Sequence, residues 1–352
     1  MAVGLRCVNC TTGHIICKWK KACDIIGVER ARSSRKDMQP AEMYRVLFFI
    51  GAVATVYVLA ASVAVRSLLH KLGYIRLPSE GRQVWSRRIV LGLAAIGILC
   101  ISYGYFIEPY WPSVTRVSIK SSKLPKGSRP IRIAHISDLH CDAKPRLEER
   151  LPGIVARERP DIIVFTGDAI NSPAGVPVFK ELLRRLAEVA PTFTVRGNWD
   201  TAFWHKIDLT EGTGATELDG QAAAIKVDSV SLRIVGVPVG EEREIAKLLG
   251  NLPAEDFTLF LHHYPDEIEE VARHRADLYC AGHTHGGQVA LPFYGALVTF
   301  SRFGKRYESG LYRVQDTWLY VNRGIGMEGG NAPRVRFCAR PEVTVIEVVP
   351  GP

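Results

Sequence analysis

Asp138, His140, Asp168, Asn198, His263, His283 and His285 occur in the order SDLH, TGD, RGNWD, LHHYPD and AGHTHGGQ. They offer three oxygen-bearing side chains and four imidazoles, enough for two divalent metal ions sharing one carboxylate. A mixture of carboxylate, amide and imidazole suits borderline ions, Mn first, with Fe, Zn or Co also accommodated, and it needs no thiolate. Two such ions a few ångströms apart lower the pKa of a hydroxide held between them. They also neutralise phosphate oxygens and align an ester for in-line attack. The chemistry is hydrolysis of a phosphate ester. A single His or Asp at a strand end is usually a cap or a turn residue, but seven in this order are not explained that way.

The elements that must position them are legible around each group. IRIAHI alternates and is β-branched, so it predicts a strand ending near Ser137. Asp138 and His140, two apart, leave an extended backbone on the same side. DIIVFTGD is a continuous apolar run typical of a buried strand, and PTFTVRGN, FTLFLHH and ADLYCAGH repeat the pattern. Five strands therefore deliver polar residues to one sheet edge, where α/β architectures place ligands. Glycine precedes Asp168, Asn198 and His283, permitting tight turns and close backbone approach. Further strands are expected near 221–227, 231–237, 287–290, 311–315, 317–321 and 342–348, and helices near 146–159, 176–190, 241–250 and 266–275. Two stacked sheets covered by helices, a four-layer αββα sandwich, fit this order.

The motifs D-x-H, G-D, G-N, a later His and G-H-x-H resemble the calcineurin-like metallophosphoesterases, over about Ile131 to Val349. The resemblance implies that Asp138, His140, Asp168 and His285 hold one metal. It implies that Asp168, Asn198, His263 and His283 hold the other, with Asp168 bridging. His263 is preferred to His262 because related sequences read H-x-P-D, as His263-Tyr264-Pro265-Asp266 does. It also implies the αββα fold.

One position departs from the family, which usually carries His after the Asn. Trp199 stands there, and indole cannot transfer a proton. Arg196, His205 and His262 are the candidates to replace it. A leaving group that departs as a phosphate needs less protonation than an alkoxide, so the loss favours a pyrophosphate or activated diester. Relatives that cleave lipid-linked nucleotide pyrophosphates also lack this His. SRFGKRYESGLYR, YVNRGIGMEGG and VRFCARPEVTVIEV resemble the membrane-associated branch related to UDP-2,3-diacylglucosamine pyrophosphatases of lipid A synthesis. Arg302, Lys305, Arg306, Arg323 and Arg336 are candidate phosphate ligands, with Arg302 and Arg323 preferred because they lie close to glycine turns.

The first 130 residues differ in kind. Val46–Val65 and Ile89–Ile107 carry no charge, each long enough for a bilayer span, and Tyr110 and Trp111 have an interfacial character. We read 1–45 as a basic tail, 46–111 as a two-helix transmembrane hairpin, 112–130 as a linker and 131–352 as the catalytic domain. Before Ile131 stand 20 Lys+Arg against 6 acids, while the remainder has 25 against 30. The overall +9 therefore belongs to the membrane flanks, where bases attract anionic lipid head groups, and gives no argument for nucleic acid.

The expected location is a bacterial inner membrane. Basic residues are too evenly spread to fix orientation. Translation starting at Met43 would tip the balance toward an extracytoplasmic domain. Cys7, Cys10, Cys17 and Cys23 crowd the N-terminus in no defensible zinc spacing, and the other four of the eight cysteines imply no disulfide framework. The expectation is a membrane-anchored two-metal phosphohydrolase acting on a lipid-linked diester or pyrophosphate of the UDP-2,3-diacylglucosamine type. The alternatives are a non-lipid phosphodiester substrate, or a metal-binding but catalytically weak scaffold.

Overall fold

The two uncharged stretches lie in helices α1 (Pro40–Lys71) and α2 (Gly81–Phe106). The structure is a computed structural model that describes residues 38–77, 81–328 and 334–351. Cys7, Cys10, Cys17 and Cys23 lie outside the described residues. Pro40 occupies the first turn of α1, where no N–H is missed, and Gln39 N donates to Glu42 at 3.4 Å. At 32 residues α1 runs to about 48 Å, longer than a bilayer core of about 30 Å. Both helices are long and apolar enough to cross a membrane and are almost wholly exposed, unlike core helices. They pack on each other, with Tyr57 Oη 3.4 Å from the Ala94 carbonyl.

The rest of the chain makes two six-stranded sheets. The first has the order β1 (Ser113–Ser121), β14 (Glu342–Pro350), β2 (Ile131–Ile136), β3 (Ile162–Phe165), β4 (Thr192–Thr194) and β5 (Thr216–Glu217). Its strands run parallel except for the β14–β2 pair. The second has the order β12 (Gly310–Val314), β13 (Thr317–Val321), β9 (Leu278–Ala281), β8 (Phe257–Leu261), β7 (Val230–Gly236) and β6 (Gln221–Val227). Here β13, β9, β8 and β7 are parallel, between antiparallel edge hairpins. Val314 pairs with Thr317 across a turn at Gln315-Asp316.

Period-two burial explains the layers. Ile133, Ile162, Val164, Leu232, Leu259 and Leu278 turn inward and fill the space between the sheets. Their neighbours Ala134, Ile163 and Phe165 face outward under α3 (Leu151–Glu158) and α4 (Val176–Ala187). Val235, Phe260 and Tyr279 do the same under α6 (Ile245–Gly250) and α7 (Ile268–Arg273). A short α5 (Asn198–Phe203) follows β4. The fold is the four-layer αββα sandwich.

Two expectations need correction. The segment 112–130, read as a linker, contains β1, nine residues paired in parallel with β14. Of the strand expected at 287–290, Gly287 closes the turn His285–Gly287, Val289 makes an isolated bridge to Phe337, and Ala290 opens a small hairpin of β10 (Ala290–Leu291) and β11 (Gly295–Ala296).

Candidate metal centre

Because β2, β3 and β4 are parallel, their C-terminal ends share one edge, and Asp138, Asp168 and Asn198 follow them there. The parallel β8 and β9 deliver His263 and His283 to the facing edge. The two edges are tied together. His283 N donates to both Asp138 carboxylate oxygens at 3.1 Å, and His263 Nδ1 lies 2.7 Å from the Thr166 carbonyl.

Two groups of donor atoms result, Asp138–His140–His285 and Asp138–Asp168–His263, each gathered within 4.8 Å. Asp138 is common to both. Asp168 Oδ2 also faces both groups, 3.6 Å from His140 Nε2 and 3.2 Å from His263 Nε2. His140 and His285 oppose their Nε2 atoms at 3.2 Å. His283 stands 5.2 Å, ring to ring, from His263. Its Nε2 lies 3.4 Å from the Phe300 carbonyl, and it stands beside the two groups as a member of neither.

The backbone bends sharply to achieve this. Asp138, His140, Asp168, His283 and His285 all have φ between 43° and 71°, the left-handed region that non-glycine residues avoid. A Cβ on Gly197 would collide with Asp168 Oδ1, and one on Gly282 with Asp138 Oδ2.

Electrostatics match the geometry. Burial opposes ionisation of Asp138, but the His285 and His263 imidazoles outweigh it and hold the carboxyl well below its usual range. Burial likewise opposes charge on His263, yet Asp168 and Asp138 raise it to about 9. Burial pushes His140 down to about 4. The Asn198 Oδ1, His140 Nδ1 and His263 Nε2 atoms are buried without a hydrogen-bond partner. An orphaned amide oxygen beside two carboxylates and their facing imidazoles fits divalent cations.

The comparisons with known proteins agree. The model of the calcineurin-like phosphoesterase family matches residues 131–287, a span that includes all seven residues. The chain is 33% identical over 282 residues to the uncharacterized metallophosphoesterase YkuE of Bacillus subtilis, covering 73% of this chain and 93% of YkuE. The chain belongs to the calcineurin-like phosphoesterases. It is also 31% identical over 277 residues to phosphodiesterase YaeI of Escherichia coli, covering 75% of this chain and 98% of YaeI. The UDP-2,3-diacylglucosamine pyrophosphatase LpxG of Chlamydia trachomatis is 22% identical over 321 residues, with 74% and 96% covered.

Other residues of this phosphoesterase lie elsewhere than the sequence suggested. Arg196, a candidate acid, is bound to Glu217 at 2.6 Å and to the Trp204 and Ile207 carbonyls. With His205 it lines a cavity of about 380 Å³ whose lining includes none of the seven residues. His262 is turned into the second sheet's side, its Nδ1 2.7 Å from the Val237 carbonyl and its Nε2 3.8 Å from Glu242. Arg323 is paired with Glu342 at 2.9 Å and with Ser113, and Arg302 is held on Asp266. Neither arginine touches the metal groups in these contacts. Trp199 packs its ring edge-on against His140, 5.4 Å between centroids.

Two supporting residues, Asp200 and Thr166, were missed, and a third, Arg336, expected as a phosphate ligand, is a buried support instead. Buried Asp200 accepts from the Asp168, Ala169 and Gly197 backbone N–H groups at 2.8–2.9 Å. Its place in GNWD, three residues after a helix-capping glycine, was the available signal. Arg336 is wholly buried, with Nη2 3.3 Å from His285 Nδ1. Thr166 orients His263 through a carbonyl, which no side-chain motif reveals.

Proposed function

We propose that this chain is a membrane-anchored phosphohydrolase that uses two divalent ions to cleave a phosphodiester or pyrophosphate bond in a lipid-linked substrate. One observation supports it most: the loops that steady His283 and His285 are the same loops on which the two apolar helices stand. Phe300, whose carbonyl meets His283, lies between Thr299, bound to Glu42 of α1, and Ser301, bound to Gln39. Arg336, beside His285, donates its backbone N–H to Gly104 of α2. A site built onto the feet of such helices lies close to the bilayer surface, where acylated substrates stay.

Asp138, His140 and His285 would hold one ion, and Asp168, His263, His283 and Asn198 the other. When bound, the ions supply Lewis-acid activation of water and neutralise phosphate oxygens. The chain's own part is to fix the donors in strained but over-determined positions and to keep the leaving-group side apolar. Trp199 offers no transferable proton there, which suits a phosphate leaving group. Manganese fits the donor set, as do iron, zinc and cobalt. The resemblance to LpxG favours a substrate of the UDP-2,3-diacylglucosamine type.

The test is hydrolysis by the purified full chain, stripped of metal and reloaded with manganese. An aryl phosphodiester should be cleaved, and Asp168→Ala should lower the rate by at least about a thousandfold, since Asp168 faces a histidine of each group. UDP-diacylglucosamine should be preferred to a soluble nucleotide diester, and the opposite preference would remove the lipid reading. No turnover on diesters, pyrophosphates or lipid substrates would leave a metal-holding scaffold.

A further inference from the structure

A small hairpin outside both six-stranded sheets is a feature that the reaction does not use. Between β10 and β11 the chain reads Leu291-Pro292-Phe293-Tyr294-Gly295. Phe293 is fully exposed and Tyr294 nearly half so. Among the described residues, the large hydrophobic side chains exposed outside Met43–Trp111 are these two alone. Phe293 is also held at φ 64°, a conformation a bulky residue adopts only when its surroundings impose it.

The root of this hairpin is fixed between the feet of the two apolar helices. Ala290 N donates to the Phe337 carbonyl at 2.8 Å, and the Phe337 ring packs edge-on against Tyr103 of α2. Three residues beyond β11, Thr299 donates through its N–H and hydroxyl to Glu42 of α1, each at 2.9 Å. Three residues of chain reach no farther than about 10 Å from Ala290. Tyr103 lies one helical turn inside the end of the uncharged stretch at Ile107. The polar zone of a bilayer extends roughly 5–7 Å beyond its hydrocarbon on each side. The tip thus lies within reach of the level at which α2 leaves the hydrocarbon.

Its chemistry suits that level. Tyr294 is covered by the Lys305 ammonium, 3.8 Å above its ring, and Arg302 and Arg306 lie exposed in the adjoining turn. Aromatic rings beside Lys and Arg are the usual composition of a membrane interface.

We propose that the β10–β11 hairpin is a third membrane contact, with Phe293 and Tyr294 seated in the interfacial zone of an anionic bilayer beside α1 and α2. It rests on the membrane anchoring proposed above, and deepens it by fixing the tilt of the catalytic domain. Two helices alone leave the domain free to rock about the line through their feet, and a third point removes that freedom. The metal centre, whose His285 is five residues before β10, is then held at head-group height.

The test places the photo-crosslinking analogue p-benzoylphenylalanine at position 293 of the full chain, in nanodiscs of phosphatidylcholine and phosphatidylglycerol. Illumination should give phospholipid adducts at 293, and few at position 316, an exposed residue in the β12–β13 turn. Adducts to a second copy of the chain, or lipid adducts no more frequent than at 316, would overturn the proposal. The Phe293→Asp, Tyr294→Ser variant separates the two readings. Its rate on a soluble aryl diester should stay within twofold, while hydrolysis of a diacyl-linked diester in vesicles falls at least tenfold. Lipid adducts from a protein that cleaves no lipid substrate would sustain the contact and remove the lipid-substrate reading.

Discussion

The two halves of the metal centre are held in different ways. On the first sheet's edge, Asp138, His140 and Asp168 are braced by backbone from nearby in the sequence. Asp138 N donates to the Gly167 carbonyl, His140 N to the Asp168 carbonyl, and Asp200 caps three N–H groups around Asp168. On the second edge, His283 and His285 depend on Phe300 and Arg336, 17 and 51 residues away. Those supports are fastened in turn to α1, where Glu42 receives Thr299, and to the short turn Glu108–Tyr110 that follows α2, where Glu108 receives the Cys338 and Ala339 N–H groups. One half is largely self-contained within about sixty residues of chain, tied to the rest at Asp138 by the His283 and Gly326 N–H groups, and the other is finished by the two apolar helices. The two apolar helices are therefore a structural part of the site.

Asp200→Ala breaks the self-contained half and should have the largest effect among its supports. It strands three N–H donors that Asp200 now satisfies, at a cost of about 1–3 kcal/mol each before relaxation. Metal affinity should fall roughly 10–100-fold, the range for residues that orient metal ligands. Thermal unfolding and metal titration of the variant check both. Binding unchanged within twofold would show that the first edge does not rely on its cap.

Removing metal tests both halves together through pH. Burial pushes His140 down to about 4, and His283 and His135 to about 3, against about 6.5 in an unfolded chain. Below pH 6.5 the unfolded state takes up protons that the folded state refuses, so stability falls as pH drops toward 4. Burial and Asp168 raise Asp200 to about 6, which works the other way below that pH, but one group opposes three. His263, at about 9, adds stability that is whole below pH 6.5 and lost as pH rises through 9. Chelated protein should therefore be most stable near neutrality. Its melting temperature should fall on both sides, and a flat profile from pH 4.5 to 8.5 would contradict this balance.

The same contrast separates what was legible in the sequence from what was not. Asp138, Asp168, Asn198 and His283 were found because each follows an apolar, strand-like run, and strand direction then carried them to two facing edges. The left-handed φ angles of Asp138, Asp168 and His283 were not, because only packing imposes that conformation on Asp and His. The strand β1 was missed because its partner β14 lies more than two hundred residues away and the following Lys, Ser and Pro suggested a linker. Glu42 and Glu108 looked like ordinary flanking charges of apolar stretches. Their burial is visible only once the loops at 299 and 338 fold onto them. Arg196 was a candidate to replace the missing His, and Arg323 a candidate phosphate ligand beside a glycine turn, yet Glu217 and Glu342 are their partners.

Glu42→Ala and Glu108→Ala address the anchor-dependent half. Each removes a buried carboxylate that accepts two N–H or O–H bonds from the catalytic domain. The loss is one step removed from the ligands, so metal affinity should fall on the order of threefold to tenfold, less than for a direct support. Glu42→Ala should loosen His283 through Phe300, and Glu108→Ala should loosen His285 through the segment of Arg336. Imidazole resonances of the two histidines, followed during metal titration, distinguish them. A loss shared equally by His140 would mean that the halves are not independently supported.

Trp199→His carries the smallest expected change and probes the first half at its rim. Trp199 N donates to Asp168 Oδ1 at 2.9 Å through the backbone, so replacing the side chain leaves that brace intact. The indole's edge-on contact with His140 is lost, and an imidazole able to protonate a leaving oxygen takes its place. An aryl diester, whose leaving group needs no proton, should be cleaved within about twofold of the parent rate, whereas an alkyl ester should gain up to roughly tenfold. That split by leaving group, read from paired rate measurements, would tie the departure at position 199 to substrate choice. An equal fall on both esters would instead assign Trp199 to the packing of His140.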